Sequence, residues 1–217
     1  MSKEIARLQY ISQENEATDH LAQIERFCEG GGNWVQLRMK AVSAELFMET
    51  AKSAREICDR YGAKLIINDN VQIARTVHAD GVHLGSEDMH PSLARELLGE
   101  KAIIGGTANT FYEIEQLAKA KVDYIGLGPY RFTPTKKNLS PVIGSEGLEV
   151  IMAYCKEYQI DIPIVAVGGI RESDLSKVLS CGAYGIAVSG MLSDAGDKAE
   201  QIQRIHNILE DAKVNNS

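Results

Sequence analysis

The sequence predicts an α/β fold, a single-domain (β/α)8 barrel of the TIM type over residues 1–217, with its core at about 7–213. Three observations point there. Short apolar or alternating runs take turns with helix-rich stretches along the whole chain, which signals parallel strands joined by helical crossovers. The β-then-α unit recurs eight times at an irregular spacing of roughly 25 residues, as a compact barrel of this length requires. The alternative, an open doubly wound sheet, is disfavoured because the first strand-to-helix junction lacks the GxGxxG of a dinucleotide site.

The strands are predicted in order at "RLQYISQ", "WVQLRMK", "KLIIND", "GVHLG", "AIIGGTA", "YIGLGPY", "IPIVAVGG" and "YGIAVSG". Between them, "AELFMETAKSAREICDRYG" and "TFYEIEQLAKAKV" carry helical periodicity, and "DKAEQIQRIHNILEDAK" follows the last strand. No linker or low-complexity segment divides the chain. The one long irregular connection, from about Gly128 to Gly147, follows the sixth strand, and a loop of that length in a compact domain marks function or disorder.

Composition narrows the function. Of 217 residues, 44% are hydrophobic, and the net charge of −7 argues against nucleic acid as a partner. A small anionic ligand in a locally basic pocket stays open. No apolar run approaches a membrane span and "MSKEIARLQY" lacks the apolar region of a signal peptide, so a soluble, cytoplasmic protein is expected. Cys28, Cys58, Cys155 and Cys181 show no CxxC pairing and are expected to be reduced, packing cysteines. A homo-oligomer is left open.

In "NWVQLRMKAV", Val35, Leu37 and Met39 fall on one strand face, and Gln36, Arg38 and Lys40 on the other. A barrel covers the first face with helices and turns the second inward. A buried Arg and Lys without partners would be very costly, so something anionic is expected between them. Barrels keep their functional groups at strand C-termini and in the loops that follow. Those positions hold Asn68 and Asp69, Glu87 and Asp88, Thr107 and Asn109, and in the sixth loop Thr133, Thr135, Lys136 and Lys137. Asp69 and Asp88 end adjacent strands and can converge on a Mg²⁺ ion, which takes one or two carboxylates alongside phosphate oxygens and water. The competing reading makes them ordinary helix-capping acids, and Glu87 a solvated one.

Gly168, Gly169 and Ser189, in "VGGIRESD" and "VSGML", are candidates for a phosphate site after strands seven and eight, although such glycines also serve tight turns. "TPTKK" supplies hydroxyls and ammonium groups able to fold over a charged leaving group. His83 points inward and is expected to be a hydrogen-bonded interior histidine. Trp34 and Tyr130 could contact an aromatic substrate ring, with packing or surface exposure as the expected default.

"VQLRMK", "LIINDN", "GVHLGSEDM", "GLGPYRFTPTKKN" and "VAVGGI", in this order, resemble the thiamine-phosphate synthase family over about residues 7–195. The resemblance implies a Mg²⁺-dependent transferase on a (β/α)8 barrel. Such an enzyme joins a pyrimidine diphosphate to a thiazole phosphate, or its carboxylated form, through a dissociative pyrimidinylmethyl-cation step. Carried over by position, it implies Asp69 and Asp88 as metal ligands, with Gln36, Arg38, Lys40 and Asn68 on the pyrimidine diphosphate. It implies Thr107 as a further contact, and Thr133 and Thr135 on the thiazole phosphate. Lys136 falls on the diphosphate, Gly169 with Val188 and Ser189 forms the phosphate cup, and Arg38 and Lys136 assist the chemistry. Two positions depart from the family pattern, Ser86 where Gln is common and Asn109 where His is common. The alternatives are a thiazole tautomerase on the same barrel, disfavoured by Asn109, and a non-catalytic regulator that binds thiamine-related ligands.

Overall fold

The computed structural model describes residues 3–13, 19–132, 141–193 and 198–214. Eight parallel strands close into a barrel in chain order. They are β1 (Leu8–Ile11), β2 (Trp34–Leu37), β3 (Lys64–Asn68), β4 (Gly81–Leu84), β5 (Ile103–Ala108), β6 (Tyr124–Leu127), β7 (Ile164–Val167) and β8 (Gly185–Val188), and β1 also pairs with β8. The helices are α1 (His20–Glu29), α2 (Ala44–Tyr61), α3 (Val71–Thr76), α4 (Pro91–Leu98), α5 (Phe111–Lys119), α6 (Gly144–Glu157), α7 (Leu175–Ser180), α8 (Gly190–Ser193) and α9 (Lys198–Val214). None of the described helices is long and apolar enough to cross a membrane.

Local chemistry sets where the helices begin. Asp19, Ser43 and Asn70 cap α1, α2 and α3 by accepting the backbone N–H groups of Ala22, Leu46 and Ile73. Thr110 and Glu113 form a reciprocal capping box at the start of α5. At the far end of α2, Gly62 takes the left-handed conformation at φ 66° and stops the helix. Phe47, Ala51, Ala54, Ile57 and Cys58 of α2 share a helical stripe and are buried against the barrel.

Strand parity divides the interior in two. Val35 and Leu37, Leu65 and Ile67, Ile104, Ile125, Ala166 and Ile186 face outward and form one core with the helices. Trp34, Ile66, Ile103, Tyr124, Val165 and Ala187 face inward and fill the lumen with Ile5. Trp34 meets Tyr124 edge-on, with ring centroids 4.8 Å apart, so it packs as expected. The four cysteines are buried and carry free thiols.

The strands are all shorter than the segments the sequence predicts, and the difference matters most at β2. β2 stops at Leu37 and does not continue through Lys40. Its last ladder partner on β3 is Ile67, and beyond it the Arg38 N–H donates to the Ser12 hydroxyl at 3.2 Å. A side-chain acceptor therefore replaces a ladder partner, and Arg38 and Lys40 leave the strand while Met39 stays buried in the outer core.

Candidate active site

The site begins with the turn after β3. Asp69 sits at φ 64°, a left-handed conformation that Asp adopts more readily than most residues, and its N–H donates to the His83 carbonyl at 2.8 Å. That bond ties the turn to β4. The Asp69 carboxylate receives the Lys40 ammonium and lies near enough to the carboxyl group of Asp88 to be influenced by it. Asp88 is oriented in turn by the Gly85 N–H, which donates to its Oδ2 at 2.7 Å. Burial, with Asp88 adding to it, pushes the Asp69 carboxyl above the usual carboxylate range, against the pull of Lys40. Arg38 is half-buried; desolvation pulls its guanidinium below the ordinary arginine value, and the charge of Asp69 opposes that.

Two carboxylates this near repel unless a proton or a cation lies between them. This donor set suits a hard cation that keeps phosphate and water in its remaining positions. Among the described residues no group of three or more His, Cys, Asp and Glu side chains is placed to hold a metal ion, so at this mouth the protein would supply two carboxylates only. Glu87 is exposed, as expected for a solvated loop acid, and so is Ser86.

Beneath the acids, Asn68 and Gln36 are buried at the top of the lumen. The Asn68 Nδ2 group has no hydrogen-bond partner among the described residues, so a buried donor is left for a ligand. Gln36 does not reach the acids, because its Nε2 donates to Gln9 Oε1 at 3.2 Å. His83 is hydrogen-bonded at both ring nitrogens, to the Tyr124 hydroxyl and to the Thr107 hydroxyl, each at 2.9 Å. A crevice of about 210 Å³ opens beside Asp88 and Thr107, walled by Met89, His90, Gln116 and Leu117.

Across the mouth, Gly168 and Gly169 take φ 95° and 66°, which only glycine adopts readily. A Cβ on Gly168 would stand 2.9 Å from the Pro129 Cα, and one on Gly169 would stand 2.8 Å from the Arg131 Cβ. The loops after β6 and β7 are thus strapped together, with Tyr130 N–H donating to the Val167 carbonyl and Arg131 N–H to that of Gly168, both at 2.9 Å. Arg131 also donates to Asp174 through Nε at 2.9 Å and Nη2 at 2.5 Å. The segment after Gly169 does not open directly into a helix. A single 3-10 turn, Glu172–Asp174, precedes the six-residue α7. The reason is that the Asp174 carboxylate accepts the Arg171 N–H at 3.0 Å and holds the chain in a turn.

Ser189 lies at the end of β8, half-buried, while the Val188 side chain packs in the outer core, so any ligand contact of Val188 runs through its backbone. The Asn109 Nδ2 donates to the Gly128 carbonyl and spends that amide on the next loop. Thr133, Thr135, Lys136 and Lys137 lie outside the described residues. Gln9, Tyr124, Arg131 and Asp174 were missed by sequence reasoning. Gln9 and Tyr124 could have been found as inward-parity polar residues of β1 and β6.

A protein-family model described as thiamine monophosphate synthase matches residues 8–192. The thiamine-phosphate synthase of Bacteroides fragilis is 45% identical over 201 residues, covering 93% of this chain and 98% of the relative. That of Flavobacterium psychrophilum is 42% identical over 203 residues, covering 94% and 98%. Among solved structures, the thiamine phosphate pyrophosphorylase from Pyrococcus furiosus superposes with a TM-score of 0.81 at 30% identity, over 95% of this chain and 96% of that one.

Proposed function

The chain belongs to the thiamine monophosphate synthase family and is a transferase that forms thiamine phosphate, and from that premise we propose how the barrel mouth handles its two substrates. They are 4-amino-2-methyl-5-hydroxymethylpyrimidine diphosphate and 4-methyl-5-hydroxyethylthiazole phosphate or its carboxylated form. The observation that carries the assignment is the placing of Asp69 and Asp88 at neighbouring strand ends, each acting on the other's charge, with Lys40 and Arg38 beside them. Paired acids suit a cation, and the positive charge that Arg38 and Lys40 bring beside them suits an anionic ligand. A metal–diphosphate pair answers both.

Asp69 and Asp88 would hold Mg²⁺, which when bound supplies positive charge opposite the departing diphosphate. Arg38 and Lys40 bind the diphosphate, and the buried Asn68 N–H group offers the pyrimidine substrate a donor. The C–O bond to the pyrimidine methylene breaks with its electron pair on the diphosphate, and the thiazole nitrogen lone pair then forms the C–N bond. Positive groups fixed in place before the reaction lower the barrier to that charge development. The thiazole nitrogen already carries its lone pair, so no general base is required. By resemblance, Lys136 joins the diphosphate side, and Thr133, Thr135, Gly168, Gly169, Val188 and Ser189 hold the thiazole phosphate.

Asn109 weighs against a tautomerase, because an amide engaged with the Gly128 carbonyl cannot shuttle protons. The test mixes both substrates with and without Mg²⁺ and measures thiamine phosphate and diphosphate, using wild type and Asp88→Ala. Metal-dependent product in wild type alone is expected. Full turnover by Asp88→Ala sinks the metal assignment, and no product from wild type returns the tautomerase or regulator.

A further inference from the structure

We propose that His83 is a positioning residue that presents the Thr107 hydroxyl as a hydrogen-bond donor to an acceptor atom of the pyrimidine diphosphate. The proposal rests on the reading of Thr107 as a substrate contact.

The lumen holds a directed chain of hydrogen bonds. Gln36 Nε2 donates to Gln9 Oε1, and Gln9 Nε2 donates to the Tyr124 oxygen, each at 3.2 Å. Tyr124 is fully buried and keeps its proton. With its oxygen accepting from the Gln9 amide, its own O–H has one ring nitrogen in reach, His83 Nδ1 at 2.9 Å. A neutral imidazole that accepts at Nδ1 carries its hydrogen on Nε2. That N–H points at the Thr107 oxygen, again at 2.9 Å. The Thr107 oxygen is therefore used as an acceptor from below, and its own proton is left for a partner above. Thr107 is half-exposed at the end of β5 and has no second side-chain hydrogen bond among the described residues.

The barrel makes room for this chain. A Cβ on Gly105 would stand 2.3 Å from the Tyr124 ring and 2.6 Å from His83 Nδ1. One on Gly126 would stand 3.1 Å from His83 Cε1. Glycine thus occupies the inward positions that flank the two rings. The lumen contains a polar, directional network where an aliphatic layer is usual, and the exposed end of that network is Thr107.

The test is a double-mutant cycle on kcat/KM for the pyrimidine diphosphate, with His83→Leu, Thr107→Val, their combination, and His83→Gln. Each of the first two is expected to lose about tenfold, a change of ~1.4 kcal/mol. The combination should lose no more than the larger single loss, because one interaction has been removed twice. His83→Gln places an amide nitrogen near the Nε2 position and should recover most of the loss with its melting temperature above that of His83→Leu. Additive losses of about a hundredfold overturn the proposal, and so does a His83→Leu defect that Gln does not recover. Unchanged kinetics in Thr107→Val would instead remove the substrate contact itself, so the two failures are told apart. Calorimetry of Thr107→Val with inorganic diphosphate plus Mg²⁺, and separately with the free hydroxymethylpyrimidine, locates the acceptor. The ligand whose affinity falls carries it, and unchanged affinity for both overturns the donor assignment.

Discussion

Gly105→Ala isolates the lumen geometry from everything else in the site. The position is backbone-permissive, since Gly105 is not among the positive-φ glycines, so an added methyl group acts by volume alone. That methyl would stand 2.3 Å from the Tyr124 ring and 2.6 Å from His83 Nδ1. Reaching the ~3.5 Å of ordinary contact takes a ring displacement of about 1.2 Å. Tyr124 also packs edge-on against Trp34, which limits its movement, and the His83–Tyr124 bond at 2.9 Å does not survive such a shift. Overpacking of this kind costs about 1–3 kcal/mol, and a buried hydrogen bond adds about 1 kcal/mol. For a chain of this size the total lowers the melting temperature by about 5–15 °C. Circular-dichroism melts of Gly105→Ala against Gly106→Ala make the comparison. At Gly106 the new methyl first meets the flexible end of Leu117, and the loss should be smaller. A Gly105→Ala melt that matches wild type would refute the account of the lumen.

Other outcomes follow from the mouth. Burial and Asp88 raise the Asp69 carboxyl in the folded chain, so without ligand the fold binds the extra proton. Stability then falls as pH rises from the unfolded value of about 3.9 through the raised folded value. Asp69→Asn should remove that slope and melt higher than wild type at neutral pH in the absence of Mg²⁺, and a lower melt there contradicts it. Arg38→Ala should weaken the pyrimidine diphosphate by about 10–100-fold, the worth of a charge-assisted hydrogen bond, as read by calorimetry. An unchanged affinity counts against its place in the clamp. Asp174 is held below the usual carboxylate range by the Arg131 guanidinium. Its contribution is therefore present above the unfolded value and lost as pH falls through the folded one. Asp174→Asn should lower the melting temperature at pH 7 and have little effect at acid pH; equal effects at both would refute the pairing.

Much of the fold was legible because its signals are local. Alternation over a few residues marks the strands, and helical periodicity marks the stretches that form α2, α5 and α9. Parity along "WVQL" correctly sent Val35 and Leu37 outward and Gln36 inward. The end of β2 was not legible, because the Ser12 hydroxyl that stops it comes from a different strand-end loop. For the same reason Arg38 and Lys40 are not a simple continuation of Gln36's face.

The sequence by itself determined which residues ring the mouth, since in a (β/α)8 barrel every strand end points to one face. That rule points to Asn68, Asp69 and Asp88, and strand parity points to Arg38. Only the tertiary structure decided what each of them touches. The nearness of Asp69 to Asp88 depends on how β3 and β4 register, Asn68 opposite His83. The chain from Gln36 through Gln9, Tyr124 and His83 to Thr107 exists because barrel closure brings β1 within reach of β6, 115 positions apart in sequence. Parity tells a side chain to point inward, but a closed lumen chooses its partner by shear and by the space that Gly105 and Gly126 leave open.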